Sequence, residues 1–201
     1  AEYSTMYNKY IRINDEYGEK KLLVNGSIQS GRYIRNLWDG AFKKFDIDKL
    51  SWKNILVLGV GGGTVIELLH AQFPDAYITG VDIDPVIIDI AKTYFLTGNL
   101  SYVQFVAVDA KKYMKESAGK YDYIIIDIFV GNIVPDFVKS KSFISCCKQR
   151  LSPNGALCIN YLQDRQYKEK SNEFEQTLRN LFSHVSDFRK ANNRFFFAQI
   201  V

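Results

Sequence analysis

Beyond Ser51, short apolar runs alternate with segments of helical period, and no other feature narrows the possible folds as much. The runs 55–58, 77–82, 103–108, 123–127 and 156–161 are rich in Ile, Val, Leu, Phe and Tyr, the pattern of strands buried on both faces. Between and after them, 65–72, 86–95, 111–115, 140–150 and 169–182 read as helices. A last pair of runs, 185–189 and 195–201, is joined only by a turn at Ala191, Asn192 and Asn193. That link is too short for a parallel crossover, so the final strand runs antiparallel to its predecessor. The reading is an α/β, doubly wound, Rossmann-like fold with a mostly parallel seven-stranded sheet and an antiparallel last strand.

Upstream, KLLV and SIQS flank Asn25-Gly26, a pair that supplies the positive φ of a two-residue turn, so residues 1–33 form a small N-terminal β-hairpin unit. Ile34, Leu37, Trp38, Ala41, Phe42 and Phe45 recur at three and four residues, which predicts a linking helix within 34–50. Residues 51–201 are then the main domain. A chain of 201 residues has room for one core and a small appendage. Hydrophobic content of 47% against 24% charged excludes a disordered chain. A net charge of +4 is too mild for non-specific nucleic-acid binding, and no apolar run nears the ~18 residues of a membrane span. The first ten residues lack a signal-peptide plan. Three cysteines, two of them adjacent at Cys146 and Cys147, form no disulfide framework and point to a reducing, cytoplasmic setting.

The chemistry lies where strands end. The first core run closes in LGVGGGT, so Gly59, Gly61, Gly62 and Gly63 make a turn on which a ligand can lie close to the backbone. Thr64 stands where a dinucleotide fingerprint needs its third glycine, and no Gly-Lys-Ser/Thr follows, which argues against nicotinamide and against a P-loop. The next three runs end in Asp82, Asp109 and Asp127. The first acid suits ribose hydroxyls, the second an adenine amino group, and the third lies beside the reacting tail of a nucleoside ligand. Asp84, ahead of Pro85, reads as a helix cap. His70 and His184 lack a second ligand at suitable spacing, so no metal site is expected.

With YNKYIRI, VNGSIQS, LGVGGG, TGVDIDP, VAVDA and YDYIIID, the chain resembles the spermidine synthase-like branch of the class I S-adenosylmethionine-dependent methyltransferase superfamily. The resemblance implies a small N-terminal β-unit on a class I methyltransferase fold, and nucleoside binding by Gly59, Gly61, Gly63, Asp82 and Asp109, with Gly62, Ile83, Ala110 and Asp127 beside them. It also implies a homodimer through the N-terminal unit, marked by exposed Tyr3, Tyr7 and Ile28. The polyamine half of the pattern departs from the family. Gly62 stands where spermidine synthases carry an Asp that holds the aminopropyl amine, and Val130 stands where they carry the amine-deprotonating Asp. Their Tyr-His/Gln-Glu segment becomes Trp38-Asp39-Gly40, and a Gln near the start becomes Asn8.

These departures lead to an S-adenosylmethionine-dependent methyltransferase with a small-molecule acceptor as the expected activity. Asp127 is its candidate catalytic residue, and Asn8, Gln29, Tyr33, Trp38, Ile128 and Phe129 are its candidate substrate wall. Methyl transfer can rest largely on positioning, so it tolerates the missing base. Asp127-Ile128-Phe129-Val130 lacks the prolines of base-amino methyltransferases, which disfavours nucleic acid as acceptor. The alternatives are an aminopropyltransferase with an altered site, using decarboxylated S-adenosylmethionine, and a nucleoside-binding scaffold without turnover.

Overall fold

A computed structural model describes residues 1–16, 18–164 and 166–200. Val201, which the sequence reading includes in the last strand, lies outside the described residues. The N-terminal unit is a four-stranded antiparallel sheet of β1 (Glu2–Tyr3), β2 (Ile11–Glu16), β3 (Glu19–Val24) and β4 (Ser27–Ser30) in sequential order. Asn25 at φ 49° and Gly26 at φ 84° form the turn between β3 and β4, the conformation for which Asn-Gly is suited. Alternation along β2 and β3 turns Ile11, Ile13, Leu22 and Val24 to one face, where they pack on Ile87 and Ile90. Helix α1 (Arg32–Lys44) follows, and its apolar stripe buries Leu37, Trp38, Ala41 and Phe42.

The main sheet contains β5 (Asn54–Leu58), β6 (Tyr77–Asp82), β7 (Val103–Ala107), β8 (Tyr121–Ile126), β9 (Leu151–Leu162), β10 (His184–Lys190) and β11 (Asn193–Gln199). Its order is β10-β11-β9-β8-β5-β6-β7. Strands β5 to β9 pair in parallel, and β11 pairs antiparallel with both β9 and β10, as the short 190–193 turn requires. Helices α2 (Thr64–Gln72), α3 (Pro85–Ile90), α4 (Ala110–Glu116), α5 (Lys141–Arg150) and α6 (Lys168–Leu181) complete the doubly wound arrangement.

Both faces of the sheet are covered, which explains why the strands read as continuous apolar runs. Ile55 and Val57 enter one core with Trp38, Trp52, Ile66 and Phe195, while Leu56 and Leu58 enter the other with Ile124, Ile144, Phe174 and Phe196. Each such fully buried aliphatic side chain contributes about 1.5–3 kcal/mol. The chain leaves β5 toward β6 and β7 on one side, then returns to place β8 on the other. Such a switch of direction opens a crevice at the carboxyl ends of the two central strands. No helix is long and apolar enough to cross a membrane among the described residues.

Candidate active site

A cavity of about 280 Å³ fills that crevice, with the N-terminal sheet as its roof. Gly59 leaves β5 at φ 94°, and a Cβ there would stand 2.1 Å from the Asp127 carbonyl oxygen. Only glycine lets the two central strands come this close. Gly59, Val60 and Gly61 line the cavity floor. Asp82, at the end of β6, receives the Val60 and Asp84 N–H groups at 3.0 Å each, on separate carboxylate oxygens. Burial raises its pKa, and those backbone bonds, with one from Gly61, oppose the rise. Asp109 follows β7 and accepts the Lys112 N–H at 3.0 Å, so it caps α4 while still facing the cavity. Ile83, Ile87, Val108 and Ala110 supply apolar surface around these two acids.

Asp127, at the end of β8, is held differently. Asn160 Nδ2 donates to its Oδ1 at 2.9 Å and Trp38 Nε1 donates to its Oδ2 at 3.1 Å. Asn193 Nδ2 in turn donates to Asn160 Oδ1 at 2.8 Å. The line Asn193, Asn160, Asp127 crosses β11, β9 and β8, and each amide directs its Nδ2 donor at the next group. Burial raises the Asp127 carboxyl to about 6, and the bonds from Asn160 and Trp38 limit the rise. A group with that pKa can take and release a proton near neutral pH. Asp82, Asp109 and Asp127 line the cavity, whereas no Lys, Arg or His among the described residues does.

The profile of the spermine/spermidine synthase domain matches residues 44–191, most of the main domain and the whole of the Asp82, Asp109 and Asp127 edge. The chain belongs to that family. It is 31% identical over 141 residues to a polyamine aminopropyltransferase of Vibrio vulnificus, covering 68% of this chain and 46% of that one. A second protein of that name, from Chromobacterium violaceum, is 33% identical over 132 residues, 65% of this chain and 49% of the other. The chain thus spans about half the length of the curated relatives it matches. Among solved structures, a probable spermidine synthase from Corynebacterium glutamicum superposes with a TM-score of 0.84 at 20% identity, over 99% of this chain and 79% of that one. At such identity the superposition shows the fold.

The anticipated site residues divide between those that line the cavity and those that do not. Gly59, Gly61, Asp82, Ile83, Asp109, Ala110, Asp127, Asn8, Gln29, Ile128 and Phe129 all line the cavity. Gly62 and Gly63 do not, in contrast to the expectation. A Cβ at Gly62 would strike Ser30, whose Oγ is 2.7 Å from Thr64 Oγ1 in a buried pair, and one at Gly63 would strike Leu96. Both glycines close the strand-to-helix turn from behind. Tyr33 also lies outside the cavity, because the first turn of α1 leaves it exposed. Trp38 is fully buried between Phe42 and Phe195, so it holds Asp127 and forms no substrate wall. Asn8 lines the cavity, but its Nδ2 donates to Asp84 at 2.8 Å, and Thr5 Oγ1 donates to the same carboxylate at 2.5 Å. Asp84 also accepts the Val86 N–H, so the expected helix cap doubles as the anchor of the N-terminal sheet.

Sequence reasoning missed Asn160, Asn193, Ile34 and Tyr7. The available signal for Asn160 was a lone amide inside the apolar run of β9, where an unpartnered polar group would be costly. Asn193 was hidden in a segment read as a turn.

Proposed function

We propose that the chain moves an alkyl group from an S-adenosyl sulfonium donor to an amine, and that aminopropyl transfer from decarboxylated S-adenosylmethionine is its activity. The acidity of the cavity carries this reading. Three carboxylates line it without a basic residue among the described lining side chains. A donor that has lost its carboxylate is wholly cationic, and an amine acceptor is cationic at neutral pH, so both match these walls. A carboxylated donor would bring an anion that finds no basic partner there. The names of the two bacterial relatives support the same choice.

In this reading the glycine turn, Asp82 and Asp109 hold the nucleoside, and Asp127 faces the reacting centre. The bound donor supplies a carbon already activated by sulfonium charge. Asp127 accepts a proton from the acceptor ammonium and frees the nitrogen lone pair for attack on the carbon next to sulfur. A carbon–nitrogen bond forms, the carbon–sulfur bond breaks, and its electron pair stays on sulfur as a neutral thioether. Positioning two reactants in line supplies much of the acceleration.

One observation favours methyl transfer instead. Gly62 offers no carboxylate at the position where spermidine synthases carry an Asp for the amino end of an aminopropyl group, and the Ser30–Thr64 pair fills the space behind it. Human methyltransferase-like protein 13, solved in complex with SAH, shares the fold with a TM-score of 0.67 at 22% identity over 84% of this chain and 80% of that one. The test is a transfer assay with each donor and mixed primary amines, read by product mass. Aminopropylated products support the proposal, methylated products transfer it to the second reading, and no product with either donor refutes both.

A further inference from the structure

The acceptor side of the cavity differs in character from the donor side. Asp82 and Asp109 stand at the ends of β6 and β7, and Asp127 stands at the end of β8, across β5. Past Asp127 the chain supplies Ile128, Phe129 and Val130 to the lining. Ile34 adds to this wall from α1, one helical turn before Trp38, whose indole reaches Asp127. The wall is held in shape: Val130 and Ile133 exchange backbone hydrogen bonds at 2.9 and 3.1 Å, and Ser27 Oγ donates to Asn132 Oδ1 at 2.5 Å across to the N-terminal sheet. No carboxylate other than Asp127 lines this side among the described residues, and the amide of Asn8 is engaged by Asp84.

We infer that the acceptor is a monoamine with an apolar body, its single ammonium at Asp127 and its alkyl or aryl portion against Ile34, Ile128, Phe129 and Val130. The inference rests on the reading of the site as an amine alkyltransferase and narrows its substrate class. A diamine would seat one ammonium at Asp127 and carry the second along an apolar wall that offers it no carboxylate among the described residues, so the second charge gains nothing there and displaces apolar contact. An alkyl or aromatic body gains from burial on the same surface.

The test uses the purified chain saturated with 5′-methylthioadenosine, which fills the nucleoside end, and calorimetric titration with hexylamine, 2-phenylethylamine, 1,4-diaminobutane and 1,6-diaminohexane. The monoamines should bind at least about tenfold more tightly than the diamines, the factor carried by roughly 1.4 kcal/mol. Val130→Asp, which places a carboxylate on an exposed position of the wall, should raise 1,6-diaminohexane affinity by about tenfold and lower that of hexylamine, whose alkyl body loses apolar surface to lie on. Phe129→Asp, tested beside it with circular dichroism as a folding check, should act in the same direction. Equal or tighter binding of the diamines by the unmodified chain, or no binding of any amine, would overturn the inference. The transfer assay separates the two claims. Monoamine binding without transfer from either donor refutes the alkyltransferase reading alone, whereas transfer confined to diamines refutes the monoamine inference alone.

Discussion

The two ends of the cavity hold their carboxylates by different means. Asp82 and Asp109 are fastened by backbone N–H groups close in sequence, those of Asp84 and Lys112, and by the neighbouring glycine turn. Asp127 is fastened by side chains alone, from Trp38, 89 positions away, and Asn160, 33 positions away. Backbone-held acids are fixed largely by strand-to-helix turns, their own and, for Asp82, the glycine turn 22 positions away. A side-chain-held acid exists only after α1, β8, β9 and β11 have packed. The reactive end therefore depends on the whole fold, while the binding end is nearly local.

The largest effect expected from breaking this contrast is on turnover. Asp127→Asn should lower transfer by about 10²- to 10⁴-fold while calorimetry still detects the donor. In the unmodified chain kcat/KM should rise about tenfold per pH unit and level off above about 6, since the base works deprotonated. The same raised pKa has a stability consequence of defined sign. A carboxyl whose folded pKa lies above its unfolded value costs stability as it ionises, so unfolding free energy should fall between about pH 4 and about pH 6. Urea titrations across that window should show the slope reduced in Asp127→Asn.

Next in size is the point where the two ends meet. Gly59→Ala combines φ 94° with a 2.1 Å encounter with the Asp127 carbonyl, and should lose about 2–4 kcal/mol by urea unfolding. Gly98→Ala, at φ 87° with open space around it, should lose only about 1 kcal/mol. A similar cost in both variants would mean that the close approach of β5 and β8 is not what glycine permits.

Within the donor end, Asp82→Ala should destabilise by about 1–3 kcal/mol, because two loop N–H groups lose their acceptor. Asp109→Ala should cost about 0.5–2 kcal/mol through the lost cap of α4. Both should weaken the donor in calorimetry, which separates ligand contact from a purely structural role. At the reactive end, Asn193→Ala lies beyond Asn160 and should act only through it, moving the kcat/KM midpoint upward by about half a pH unit. A uniform loss of activity at every pH would mark Asn193 as structural. Tyr33→Ala, outside the cavity, should change kcat/KM by less than about twofold, the size expected of a surface substitution.

Much of the architecture was legible because it is written in periodicity. The five apolar runs became β5 to β9, the short turn after β10 forced β11 antiparallel, and Asn25-Gly26 formed the turn for which it is suited. Other assignments failed where contacts, rather than spacing, decide orientation. Tyr33 and Trp38 lie five residues apart on α1 and face different ways, Tyr33 toward solvent and Trp38 into the core against Phe195. Four glycines in one turn look alike in sequence, but Gly59 and Gly61 face the cavity while Gly62 and Gly63 face Ser30 and Leu96.

The sequence by itself determined the strand–helix alternation, the glycine turn, the acids at three strand ends and the cap at Asp84, because each follows from residue type at short spacing. Only the tertiary structure decided that Asp127 is gripped by Trp38 and Asn160, that Asn193 stands behind them, and that an apolar wall continues past the carboxylate. Those contacts join segments far apart along the chain, and hydrogen bonds between such segments leave no period in the residues that make them.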